Sequence, residues 1–258
     1  MTSATTELPV ADVIVDEIPN SGVLNMAMDA ALLQLAAERE RSVVRIYRWS
    51  EPTVTLGYFQ GSGQSVDAPF QGLPVVRRLS GGGAILHDQE ITYSLVLSAA
   101  HPARQNPSAV YQTVHRAIVK LFSAAGVACQ LRSEFDAINY NAAVIDTGKD
   151  AGTTAEPFLC FLRTNANDIV HATGNKIVGS AQRRRKGVTL QHGSIILKAS
   201  QVVPQLPGII DLEPSFSDAE FQRSLPGAIA SAISHSMNFR SYTGAEKSLA
   251  ATLASEMR

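Results

Sequence analysis

The sequence predicts an α+β fold, a mixed and mostly antiparallel sheet flanked by helices, and three observations carry that prediction. Strand-like runs come in blocks, at 43–49, 53–59, 74–79, 84–87 and 91–98, and again at 167–172, 175–182 and 188–197. Helical periodicity is confined to separate blocks, so the regular strand–helix alternation of a parallel fold is missing. A chain of 258 residues with 45% hydrophobic and 17% charged residues can bury the core such a sheet needs.

Each element has local grounds. Residues 10–18 carry the apolar pattern of a short strand, and Asn20 or Ser21 can cap the helix that follows. That helix is read over Leu24 to Arg39, where Leu24, Met28, Ala31, Leu32 and Leu35 recur at helical spacing. The runs 43–49 and 53–59 are rich in Val, Ile, Thr and aromatics and are parted by Glu51-Pro52, which predicts two strands with a tight connection. Val110, Val114, Ile118, Leu121 and Phe122 mark one face of a second helix, ended by Gly126. Cys129 follows Val127 and Ala128 in a strand-like run and reads as structural. The stretch Asn139 to Glu156 shows little periodicity and is expected to be a mobile loop. Thr173-Gly174 sits where a hairpin would turn. From Ser217 onward the pattern is helical, with Pro226 interrupting it, and the chain closes in a polar amphipathic helix.

Composition narrows the function classes. A net charge of -1 and a pI near 6.6 leave no global footprint for nucleic acid or an anionic membrane. No run approaches the ~18 apolar residues of a membrane span, and the N-terminal segment has neither a basic stretch nor a long apolar one. A cytoplasmic protein is expected. Cys129 and Cys160 are the only cysteines, too few for a disulfide scaffold or a four-cysteine zinc site, so both are expected to be free thiols. No metal-ligand spacing is visible.

Two strings carry chemistry. In RRLSGGGAILHD, Arg77 to Asp88, the glycines Gly81, Gly82 and Gly83 let backbone approach a ligand, and their amides can bind an anionic or carbonyl oxygen. A bare triple glycine also reads as a flexible hairpin turn; Arg77, Arg78 and Ser80 before it and His87 after it shift the balance toward a site. It is neither a Walker loop nor a dinucleotide fingerprint. In GNKIVGSAQRRRKGVTLQHGSIIL, Lys176 places a cation at the mouth of a strand in which Gly179 and Ser180 leave room for a ligand. Read as a mouth residue, Lys176 contributes little to a core. His192 reads equally as a hydrogen-bonded core histidine. The run Arg183 to Lys186 is a solvated hairpin or a patch steering an acidic partner.

These two strings resemble the signature segments of the lipoate-protein ligases and octanoyltransferases, whose fold is related to that of biotin-protein ligase. Asn25 to Ala30 and Pro52 to Gly57 are similar as well, so the resemblance covers about residues 24–198. It implies a biotin/lipoate protein ligase-like fold, with an acyltransferase or ligase catalytic domain over 1–200 and a C-terminal helical extension of the same domain over 201–258. It also implies an acyl chain lying beside the glycine loop, with Lys176 at its reactive end and Arg77, Arg78, Ser80, His87, Gly179, Ser180 and His192 around the substrate.

The family holds two chemistries. A ligase activates a free acid with ATP and Mg; a transferase takes an already activated thioester, needs a reactive thiol and no nucleotide cofactor. Cys160-Phe161 resembles the cysteine–phenylalanine pair of the cysteine-dependent octanoyltransferases, which implies Cys160 as nucleophile and Lys176 as the cation supporting its thiolate. The partners so implied are an acyl carrier protein as donor and a lipoyl-domain protein as acceptor, the glycine cleavage H protein or a 2-oxoacid dehydrogenase E2. Asn167-Asp168-Ile169-Val170 instead looks like the ligase segment and keeps the ATP-dependent reading as runner-up, although the C-terminal region is short for a full accessory domain. A non-catalytic acyl-binding module is the third reading.

Overall fold

The computed structural model describes residues 10–60, 68–143, 159–163 and 165–257. In chain order these form β1 (Val10–Val15), α1 (Gly22–Leu35), β2 (Ser42–Tyr47), β3 (Thr53–Leu56), β4 (Val75–Arg77), β5 (Ile85–His87), β6 (Glu90–Leu97), α2 (Pro107–Ala124), β7 (Cys129–Leu131), α3 (Arg132–Ala143), β8 (Ile169–His171), β9 (Lys176–Arg185), β10 (Val188–Ile196), α4 (Ile209–Leu212), α5 (Asp218–Ile233), β11 (Ser236–Phe239) and α6 (Gly244–Glu256). Ser21 caps α1, its side chain accepting from Leu24 N, and Gly126, at φ +80°, follows α2. The expected α+β class is what the strands build.

The described strands form a sheet in the order β11-β1-β2-β6-β10-β9-β8-β7 and a smaller one, β4-β3-β5. In the large sheet β1 pairs in parallel with β11 and β2, and every other neighbour is antiparallel. One face packs on α2 and α5 through Val110, Val114, Ile118, Phe122, Phe221 and Ile229, all buried. α1 is sunk on the other side, where Ala27 and Ala31 meet Ala250 of α6. Burial on both sides explains why α1 carries so little polar surface. Among the described residues no helix is long and apolar enough to cross a membrane.

Three local expectations are corrected. Pro226 lies inside α5 rather than interrupting it. Its ring is buried with Phe221, Leu225 and Ile229, and that apolar stripe outweighs the ~3 kcal/mol a helix-interior proline costs. Residues 139–143 complete α3 instead of opening a loop; the rest of the stretch to 156 falls outside the described residues. β11 is a further strand, short and mostly exposed, with no alternation to announce it.

Glu246 ties the C-terminal helix to this frame. Thr243 and Glu246 form a capping box at the start of α6, and the fully buried Glu246 carboxylate also takes Arg39 and two bonds of 2.9 Å from Arg240. Burial alone would push this carboxyl up, but the bonds from Arg240 and Arg39 outweigh it and bring it down to about 2. A depressed carboxylate stabilises above its unfolded value near 4.5 and stops doing so as pH falls toward 2. Glu246→Gln is therefore expected to cost roughly 2–3 kcal/mol at neutral pH. In urea melts the gap from the parent protein should close as pH drops from about 5 to 2; a gap independent of pH would refute the assignment.

Candidate active site

The glycine loop folds around a cation. Arg78 follows β4 and is 2% exposed; its guanidinium donates to Thr55 O at 3.1 Å, Gly81 O at 2.8 Å and Gly83 O at 2.6 Å. Gly82 holds φ at +99°, a region that favours glycine. A Cβ on Gly57 would lie 2.0 Å from Gly82 O, so the turn after β3 can approach the loop only as glycine. Arg77 donates to Gly57 O at 2.9 Å and Gln60 O at 2.5 Å, which clamps that turn. Ser80 Oγ bonds His192 Nε2, and His192 Nδ1 faces Asp29 Oδ2 at 3.6 Å, pinning the loop to β10 and α1. Burial lowers the His192 imidazole and keeps it neutral.

Cys160 hangs on the far end of the loop. Its amide donates to Ala84 O at 2.7 Å, in a short turn that begins where Leu159 bridges Ala84. Its Sγ lies 3.8 Å from where a Cβ on Gly82 would sit, which places the thiol against the glycine loop. Burial lowers the Arg78 guanidinium to about 10. Arg78 and Cys160 line the same pocket. Cys129 lies in β7, where burial pushes its thiol up to about 12.

Lys176 opens β9 and turns its ammonium inward. Nζ is 2.9 Å from Asp168 Oδ2 and donates to Cys160 O and Arg163 O, each at 3.3 Å, while lying 4.9 Å over the Phe161 ring. Three acceptors match the three hydrogens of an ammonium. The expectation of a mouth lysine peripheral to the core is corrected: its side chain is 10% exposed and its partner's 5%. Burial pushes the Asp168 carboxyl above its ordinary value, with Lys176 pulling against that. The lysine stem crosses Gly179, where a Cβ would sit 2.7 Å from Lys176 Cε. That contact gives the glycine of KIVGSAQ its reason.

Arg78, His87, Cys160, Lys176, Gly179, Ser180 and His192 line one pocket enclosing about 430 Å³, its open mouth included. Arg77, Ser80, Gly81, Gly82 and Gly83 are not among the residues that line it. His87 stacks on Trp49 at 4.0 Å and donates from Nδ1 to Glu90 at 2.8 Å, while its Nε2 bonds Thr55 Oγ1 at 2.8 Å. Met26, Tyr47, Thr92 and Ala181 also line it. Sequence reasoning missed these four, because nothing distinguishes them from ordinary helix and strand residues.

The family model described as the lipoyl protein ligase A/B catalytic domain matches residues 21–231. The chain belongs to this family. Relatives named octanoyltransferase LipM include those of Brevibacillus brevis, 38% identical over 187 residues, and Moorella thermoacetica, 40% identical over 177. These alignments cover 69% and 67% of this chain and 62% and 60% of the relatives, so the chain spans about three fifths of their length. Among solved structures, lipoate-protein ligase A bound with ATP superposes with a TM-score of 0.70 at 22% identity, covering 96% of this chain and 95% of that one. A bipartite lipoate protein ligase from Thermoplasma acidophilum, determined with its E2 lipoyl domain, gives 0.70 at 20% identity over 96% and 92%. At those identities the lipoyl protein ligase A/B structures share the fold, as the loop and lysine motifs implied.

Proposed function

We propose that the chain is an octanoyltransferase, moving an octanoyl group from an acyl carrier protein thioester to the lysine of a lipoyl domain through an acyl-cysteine. The observation that carries this reading is that Cys160 and Lys176 line one pocket, with the Cys160 sulfur against the glycine loop. The relatives named octanoyltransferase LipM support it.

The chemistry follows in two exchanges. The Cys160 thiolate attacks the thioester carbonyl, a new C–S bond forms, and the carrier's sulfur departs with the bonding pair and takes up a proton. The lysine amine then attacks the acyl-cysteine; the C–N bond forms, the C–S bond breaks, and the nitrogen's surplus proton ends on the Cys160 sulfur. The first exchange is nearly isoenergetic and the second runs downhill to an amide, so neither calls for ATP or Mg. An eight-carbon tail in an apolar pocket supplies roughly 5 kcal/mol. Arg183 lies 4.1 Å over the Tyr58 ring, and Arg184, Arg185 and Lys186 continue outward from it, a basic edge suited to an acidic carrier.

The test is one incubation with octanoyl carrier protein and no lipoyl domain. A single octanoyl adduct mapping by mass spectrometry to Cys160 is expected, lost together with overall transfer in Cys160→Ala and retained in Cys129→Ala. Cys160→Ser should be far weaker, because a hydroxyl is barely ionised at neutral pH. Should Cys160→Ala still modify the lipoyl domain, and only with ATP and free acid present, the ATP-dependent ligase reading replaces this one.

A further inference from the structure

Beside the glycine loop an aromatic ring is held out to solvent. Phe59, in the turn after β3, is 83% exposed, more than any other large apolar side chain among the described residues. The turn that carries it is braced. Tyr58 N donates to Ser80 O at 2.9 Å, Gln60 N donates to Gly57 O at 3.0 Å, and Gln60 Oε1 accepts from Gly57 N at 2.7 Å. Arg77 adds its bonds to Gly57 O and Gln60 O. The Phe59 ring lies 3.6 Å from where a Cβ on Gly81 would sit, and it meets Tyr58 edge to face with ring centroids 5.1 Å apart. Such a ring adds nothing to the core, and being fixed beforehand it loses little freedom when a partner covers it.

A row of cations continues from this turn. Arg183 and Arg185 alternate with Arg184 along β9 and so share the face of Ala181, which lines the pocket. The Arg183 guanidinium covers the Tyr58 ring at 4.1 Å, which joins the row to the aromatic pair. Arg184, Arg185 and Lys186 are exposed, and the sequence holds no acid between Asp168 and Asp211. In a chain of net charge -1 this is a local concentration of positive charge. Arg185 stands four residues beyond Ala181, about 13 Å along the strand. Ring and cations form one patch that starts at the glycine loop and runs outward from the pocket.

We propose that this patch docks the acyl carrier protein that brings the thioester, with Phe59 as its apolar anchor and Arg183 to Lys186 meeting the carrier's carboxylates. This rests on the octanoyltransferase reading above. Charge selects an acidic partner. Position selects the donor over the acceptor, because neither Phe59 nor the cations line the pocket. The lysine of a lipoyl domain sits on a four-carbon stem and must bring its domain over the pocket itself. A carrier presents its thioester on a longer prosthetic arm, so its body can dock to one side. One ring and a few exposed charges make a small contact, suited to a carrier that departs after each exchange and too small to hold a second copy of this chain.

The test follows acylation of Cys160 by mass as octanoyl carrier protein is varied. In Phe59→Ser the concentration giving half the maximal rate is expected to rise about tenfold, with the maximal rate within about twofold of the parent. S-octanoyl pantetheine, which has the arm and no carrier body, should acylate parent and variant at equal rates. Transfer from the isolated acyl-enzyme to a lipoyl domain should also be equal in the two. Arg184→Glu combined with Arg185→Glu should raise the half-saturating carrier concentration at low salt, and the effect should fade as salt is added. An unchanged half-saturating concentration in Phe59→Ser, or an equal loss with S-octanoyl pantetheine, would overturn the proposal. So would a defect confined to the lipoyl-domain step, which assigns the patch to the acceptor. Failure of the parent protein to form the acyl-cysteine with either thioester would instead overturn the transferase reading.

Discussion

Replacing Lys176 by methionine is expected to slow acyl transfer by about 10²-fold or more, because the lysine holds the backbone that carries Cys160, the proposed nucleophile. Its ammonium binds the carbonyls of Cys160 and Arg163, and without it the turn bearing the thiol loses its tie to β9. Folding suffers too. Asp168 keeps a buried carboxyl with its cation removed, a loss of about 3–5 kcal/mol when the group stays charged. That carboxyl is already pushed up by burial, so in the variant it takes up a proton more readily and the penalty grows with rising pH. Lys176→Met with Asp168→Asn should recover stability in urea melts while activity stays low. Near-parent turnover in the single variant, or recovery of turnover in the double one, would remove Lys176 from the chemistry.

Asp29→Ala carries the largest expected effect on stability. Asp29 in α1 takes Arg45 at 2.9 Å, Tyr47 OH at 3.0 Å and Ser94 Oγ at 2.8 Å, and both Arg45 and Asp29 are essentially without solvent. Burial pushes the carboxyl up, yet the bond to His192 and the charge of Arg45 outweigh it and hold the group below its ordinary value. Removing it leaves Arg45 with Asp16 as its one remaining carboxylate, at 2.6 Å, and leaves the buried Tyr47 and Ser94 hydroxyls without their acceptor, at a combined cost of about 3–5 kcal/mol. It also releases His192, and with it Ser80 and the glycine loop. Circular dichroism in urea should show the midpoint falling, and Asp29→Asn, which keeps an acceptor for Tyr47 and Ser94, should lose less than Asp29→Ala. A loss under about 1 kcal/mol in Asp29→Ala would mean the pair is solvated.

How far the sequence is legible depends on how far apart the cooperating residues lie. The glycine loop and the lysine strand are contiguous strings, and their chemistry can be read in place: Gly82 is needed for its φ and Gly179 for the lysine stem. Cys160 became readable only through the family resemblance, since a lone cysteine in an apolar setting is more often core. Asp29 was not legible: it is one acid in a helix, and its meaning comes from Arg45, Ser94 and His192 on three separate strands. Helix α3 escaped because Arg132 to Ala143 holds few apolar residues at helical spacing, so local pattern had nothing to report.

The parallel pairing of β1 with β11 has a consequence for synthesis on the ribosome. Val10 to Val13 meet Ser236 to Phe239, a separation of 226 residues at every position of the register. While translation proceeds, β1 can join β2, but its other margin presents unsatisfied amides and carbonyls until Phe239 has left the exit tunnel. At about 5–20 residues per second that wait lasts on the order of ten seconds or more. The nascent chain therefore completes this sheet only after residues through Phe239 have emerged, and until then the open margin is a place for a chaperone to act.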